Sequence, residues 1–154
     1  MEDMTIGFIG AGTLAAGEYR VVAVSSRSPS SAEALAAHIP GCQPISDSQE
    51  LADRCRLVFI TTPDDTIGEV ASEVEWNRGH GVVHCSGAQS IETLEPAHRL
   101  GATTGSFHPF QTFACIKTPQ EAMERLDGAS FAVEGEGWFW ISSRSWPLIL
   151  GAGP

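Results

Sequence analysis

Near the start of the chain, Gly10-Ala11-Gly12-Thr13-Leu14-Ala15 places small side chains at the spacing G-x-G-x-x-A, directly after the apolar run Ile6-Gly7-Phe8-Ile9. One kind of chemistry asks for small residues at these points. Gly10 makes a tight turn, Gly12 lets the backbone approach a pyrophosphate, and Ala15 lets a following helix pack on the strand. Backbone N–H groups at the start of that helix, beginning around Thr13, then receive the phosphate charge. Glycine pairs alone mark turns, and the preceding strand is what makes this a dinucleotide site.

The second apolar run carries a clue to which dinucleotide. A site for NAD places Asp or Glu at the end of this strand for the ribose 2′-hydroxyl, whereas here Val24-Ser25-Ser26-Arg27-Ser28 supplies hydroxyls and a guanidinium. This points to NADP. Arg27 suits a 2′-phosphate and the adenine face, and Ser26 and Ser28 suit hydrogen bonds to the same phosphate. Ser28-Pro29-Ser30-Ser31 also reads as the cap of the next helix, and both uses are compatible.

Further along, Thr61-Thr62-Pro63-Asp64-Asp65 follows a buried strand at its carboxyl end, where open α/β sheets bind ligands. Thr62 and Pro63 are expected against the nicotinamide ribose, and Asp64 and Asp65 as cap and first-turn acids of a helix. His84, Ser86 and His108 fall at strand ends or in the loops after them. Hydride transfer to an imine or carbonyl needs a proton donor, and a histidine serves well near neutral pH. His108 and Ser86 are therefore the expected catalytic pair, with His84 read as structural and Ser86-Gly87 as a turn facing substrate or carboxamide. His80 and His84 stand four apart, but the glycines and valines around them oppose a helix, so no metal pair is expected.

These residues need a scaffold that brings strand ends together. The chain has 154 residues, 42% hydrophobic and 18% charged, which suits one globular domain and excludes a disordered chain. Nine basic against 19 acidic residues, net −10, argue against nucleic acid or an anionic membrane surface as partner. Cys42, Cys55, Cys85 and Cys115 form no C-x-x-C pair, and residues 1–5 hold two acids and no base, so reduced thiols and a cytoplasmic location are expected. No apolar run reaches the roughly 18 residues of a membrane helix. Strands are expected at 5–9, 20–25, 57–61, 81–85, 103–107 and 130–133, and helices at 30–38, 48–55, 66–74, 91–100 and 119–126. Apolar strands alternating with helices predict an α/β fold with a mostly parallel sheet and helices on both faces. Pro63 and Pro109 are expected in loops just past strand ends.

Two segments break the pattern. Only residues 11–19 separate Gly10 from Arg20, whereas a crossover with its helix takes at least about 10–12 residues, so the first crossover helix is expected to be truncated. Residues 135–154 form a tail with three of the four tryptophans and no clear period, leaving 1–134 as the dinucleotide-binding domain.

With the glycine loop, Ser-Ser-Arg-Ser, Thr-Thr-Pro-Asp-Asp, His84-Cys85-Ser86-Gly87 and Gly105-Ser106-Phe107-His108-Pro109-Phe110 in this order, the chain resembles a known group. This is the Rossmann-like NADP oxidoreductase family that carries a C-terminal helical domain of unknown function. The family is similar to pyrroline-5-carboxylate reductase, prephenate dehydrogenase and 6-phosphogluconate dehydrogenase. The match runs from about Thr5 to Val133. It implies a Rossmann-like fold, NADP as cofactor, a small-molecule substrate, and a homodimer formed through the helical domain. Against that family the chain reads as an incomplete copy; the alternative is a nucleotide-binding or inert remnant without catalysis.

Overall fold

The computed structural model describes residues 4–10, 20–110, 121 and 130–135. Among these residues seven strands form one sheet: β1 (Thr5–Ile9), β2 (Arg20–Ser25), β3 (Gln43–Ile45), β4 (Leu57–Ile60), β5 (Gly81–His84), β6 (Thr103–Pro109) and β7 (Phe131–Gly135), in the order β3-β2-β1-β4-β5-β6-β7. The first six are parallel and β7 runs antiparallel to β6. The expected α/β fold with a mostly parallel, doubly covered sheet is the fold observed.

Its layers follow from strand alternation. Val58 and Ile60 of β4 point to one face with Leu51 and Ala52 of α2 (Ser48–Arg54), Ile67 and Ala71 of α3 (Ile67–Glu73) and Ala97 of α4 (Glu95–Arg99). Leu57 and Phe59 point to the other, with Ala32, Leu35 and Ala36 of α1 (Pro29–Ala36). On that second face Phe8 stacks on Phe59 at 5.2 Å, Phe59 meets Phe107 edge-on at 6.4 Å, and Phe107 stacks on Phe131 at 4.5 Å. Such pairs contribute about 0.5–1.5 kcal/mol each beyond burial, and this row ties β7 to the parallel strands.

Differences from the sequence expectation have local causes. β3 is three residues long with Pro44 at its centre, too short and too polar to show as an apolar run, and proline fits there because β2 is its sole partner among the described residues. The helix expected at 91–100 is a 3₁₀ turn, Ile91–Leu94, followed by α4, because Pro96 has no N–H to continue an earlier helix but suits a first turn. Likewise a 3₁₀ turn at Asp64–Thr66 precedes α3, with Pro63 at the cap position in place of Asp64. Pro109 is not in a loop: it is the last residue of β6, paired with Phe131, and the sheet continues through Phe110 N–H to the Ser130 carbonyl at 2.8 Å. The first crossover, most of the helix expected at 119–126, and residues 136–154 lie outside the described residues.

Gly7 shows why β1 needs a glycine inside the strand. A Cβ there would stand 2.7 Å from Cys55 Sγ and 2.7 Å from Leu51 Cδ2, so α2 lies directly on the β1 backbone. Gly7→Val is expected to cost about 1–3 kcal/mol by overpacking, read as a lower urea midpoint at unchanged slope. An unchanged midpoint would show that α2 can move aside freely.

Candidate functional site at the carboxyl edge of the sheet

Register puts Ser25, Ile9, Ile60, His84 and Ser106 in one row across β2, β1, β4, β5 and β6. The residues after each strand therefore emerge along one edge. From β2 to β5 is three inter-strand steps, roughly 14 Å at about 4.8 Å each. The chain connects β1 leftward to β2 and β3, and the strands from β4 onward extend to the right, so the crevice between β1 and β4 is the switch point where such sheets bind ligands.

A cavity of about 300 Å³ opens there, and Gly10, Ser26, Arg27, Thr62 and Pro63 line it. Five of the expected cofactor residues thus share one wall. Gly10 has φ +107°, the left-handed region that favours glycine, and a Cβ on it would meet the Thr61 carbonyl carbon at 2.7 Å and Thr62 N at 2.8 Å. Its N–H donates to the Ser25 carbonyl at 2.8 Å, and Thr61 Oγ1 donates to the Gly10 carbonyl at 2.9 Å, so the turn after β1 is held from both sides.

Arg27 is exposed and has no ion pair or hydrogen bond among the described residues. The Ser28 N–H donates to Ser26 Oγ at 3.2 Å. Ser28 does occupy the cap position of α1, but its hydroxyl bonds to those of Ser30 and Ser31 and caps no backbone N–H; it does not line the cavity. Gly12 and Thr13 lie outside the described residues.

The wall also holds Ser25, Glu69 and Glu73, which the sequence did not single out as site residues. Among the described residues the buried Ser25 and Thr62 hydroxyls have no hydrogen-bond partner, a costly state unless something binds there. Ser25 had a visible signal, a hydroxyl closing an otherwise apolar strand. Glu69 and Glu73, four apart on α3, face the same space and oppose an anion that Arg27 would attract.

His108 and Ser86 lie farther along the edge and do not line this cavity. Ser86 Oγ accepts the N–H groups of Ala88 and Gln89, both at 3.1 Å, so it builds the expected turn and keeps its own proton to donate. His108 is half-buried, and its Nδ1 lies 3.2 Å from the Cys85 carbonyl. A carbonyl only accepts, so Nδ1 carries a proton and the lone pair of the neutral ring is on Nε2. His84 is fully buried, as its structural reading requires: Nδ1 accepts the Ser86 N–H and Nε2 faces the Ser90 carbonyl, both at 3.2 Å. His80, before β5, accepts the Asn77 N–H, and the two histidines do not share a helix. No group of metal-binding side chains occurs among the described residues.

Burial pushes the pKa of His84 down; the Ser90 carbonyl, Asp64 and Glu134 pull it up, and His108 pushes it further down. His80 is also lowered by burial, against Asp53. Both are neutral in the fold and titrate more readily when unfolded, so between the unfolded value near 6.5 and the lower folded values the unfolded chain binds more protons. Stability is expected to be full above pH 7 and to fall below about 6.5, by at most about 1.4 kcal/mol per pH unit for each histidine. Urea midpoints from pH 7.5 to 5.5 test this. A flat profile would mean that neither ring is held neutral.

A family model described as a Rossmann-like domain matches residues 4–109. The chain belongs to that family. Among solved structures, this Rossmann-like domain is similar to a protein described as an NADP oxidoreductase from Bacteroides fragilis (TM-score 0.70, 21% identity, covering 98% of this chain and 58% of that one). It is also similar to a reductive aminase from Aspergillus terreus in complex with NADPH and ethyl-5-oxohexanoate (0.71, 14%, 98% and 54%). A third is the pyrroline carboxylate reductase of Plasmodium falciparum with NADP bound (0.67, 16%, 99% and 55%). At these identities the likeness shows the fold alone. The chain spans little more than half the length of these proteins. No curated protein matches it in sequence. Among the described residues, no helix is long and apolar enough to cross a membrane.

Proposed function

We propose that this domain binds NADP and serves an oxidoreductase that moves hydride to or from a small metabolite. One observation carries the reading: the cavity at the switch point presents the buried hydroxyls of Ser25 and Thr62 beside the exposed guanidinium of Arg27, all three without a partner among the described residues. These groups, with the glycine turn at Gly10, fit a phosphate-bearing dinucleotide. Gly10, Gly12 and Thr13 would seat the pyrophosphate, Arg27, Ser26 and Ser28 the 2′-phosphate, and Thr62 and Pro63 the nicotinamide ribose. When bound, NADP supplies or accepts the hydride. His108 exchanges the accompanying proton at Nε2: in oxidation the neutral ring takes it on the Nε2 lone pair, and in reduction the imidazolium gives it up there and is left neutral, while Ser86 offers its hydroxyl to the substrate or the carboxamide.

Domain limits of 1–134 with a tail at 135–154, a cytoplasmic setting and a homodimer formed through a helical domain belong to the same reading by resemblance. A second reading keeps binding and drops turnover. It is favoured by the separation of His108 and Ser86 from the cavity. Titration with NADPH and NADH, followed by cofactor fluorescence, tests the first step. Saturable binding with NADPH preferred by tenfold or more is expected; no saturation at millimolar cofactor would refute both readings. NADPH oxidation with a panel of small imines and ketones then separates them.

A further inference from the structure

The loop between β5 and the 3₁₀ turn at Ile91–Leu94 is built around one buried imidazole. His84 reaches both of its ends, accepting from the Ser86 N–H and donating to the Ser90 carbonyl. Ser86 Oγ ties the middle by accepting from Ala88 and Gln89. Two features of this loop touch His108, which lies 23 residues away in sequence: the Cys85 carbonyl accepts from Nδ1, and Gly87 lies against the ring. A Cβ on Gly87 would collide with His108 Nε2 and stand 2.5 Å from Cε1, so a larger residue at 87 would displace either the ring or the loop. Phe110 completes the setting, edge-on to the His108 ring at 5.8 Å.

We propose that His84 is a positioning residue: by pinning residues 85–90 it sets the Cys85 carbonyl and Gly87 so that His108 is held with its proton on Nδ1 and its lone pair on Nε2. The proposal rests on the reading of His108 as the proton-exchanging group, since the tautomer matters to chemistry only in that role. The tautomer itself is a separate, measurable fact. His84 acts through the loop and touches no substrate. Its uncharged state suits the task, because a protonated ring would lose the acceptor that holds the Ser86 N–H.

The test is the ring ¹⁵N spectrum of His108 in the full chain at pH 8, with and without NADPH. In the wild type the neutral ring is expected to be Nδ1-protonated. His84→Phe keeps a planar ring but removes both hydrogen bonds, and is expected to give a mixture of His108 tautomers. His84→Asn keeps an acceptor two bonds from Cβ, as Nδ1 is, and is expected to restore the Nδ1–H form. NADPH affinity should change less than twofold in both, because the cofactor residues sit on the loops after β1, β2 and β4. A wild-type His108 found protonated on Nε2 overturns the proposal whatever the variants do, even if His84→Phe fails to fold. An unchanged tautomer in a folded His84→Phe overturns it too. Failure of NADPH to bind, with the tautomer pattern as expected, would instead refute the cofactor reading and leave the positioning in place.

Discussion

Replacing Gly10 by valine is expected to lower stability by roughly 2–6 kcal/mol, from about 1–3 for forcing a side chain into the left-handed region and a similar cost for overpacking. Both costs arise at one atom. The Cβ would sit 2.7 Å from the Thr61 carbonyl carbon, which is backbone and cannot rotate away, and the Thr61 hydroxyl bond to the Gly10 carbonyl would be strained with it. Against a total stability of about 5–15 kcal/mol this is a large fraction, so the urea midpoint should drop clearly at unchanged slope. NADPH binding should fall alongside, since the turn and the Thr62 hydroxyl share the wall of the cavity. A midpoint and an affinity both equal to wild type would show that the turn after β1 tolerates any residue and guides no ligand.

Arg27→Ala is expected to weaken NADPH binding about 10- to 150-fold and to leave NADH nearly unchanged, on about 1.5–3 kcal/mol for hydrogen bonds to a charged group. The exposed position of Arg27 makes part of this sensitive to salt, so the loss should shrink as ionic strength rises. Glu69 and Glu73 sharpen the test. They share the cavity with Arg27, and Glu69→Gln should tighten NADPH several-fold by removing one repelling charge. Equal losses for NADPH and NADH in Arg27→Ala would place the guanidinium on something other than a 2′-phosphate.

The residues carrying these predictions were legible in the sequence to different degrees. Gly10 and Arg27 stood out because each belongs to a short motif whose parts are neighbours in the chain. Ser86 was read as a turn residue for the same reason, and the structure shows its hydroxyl holding that turn. Glu69, Glu73 and Thr61 were not picked out as site residues, because an acid pair on a helix or a threonine after a strand looks the same whether it faces solvent or a cavity. Pro109 was misplaced because a proline normally ends a strand, and only the antiparallel partner β7 carries the ladder through that point.

By itself the sequence determined the local part of this protein: which runs are strands buried on both faces, where glycine permits a left-handed turn, and which strand ends carry hydroxyls, histidines and one guanidinium. Propensity, periodicity and turn chemistry act over a few residues, so these features can be read in place. Only the tertiary structure decided the order of the strands, the meeting of Ser25 and Thr62 in one cavity, and the seating of His108 on Cys85 and Gly87. Those depend on pairings between residues far apart in the chain, such as Thr61 with Gly10 across 51 positions, and register of that kind is set by how whole layers pack rather than by any short stretch of sequence.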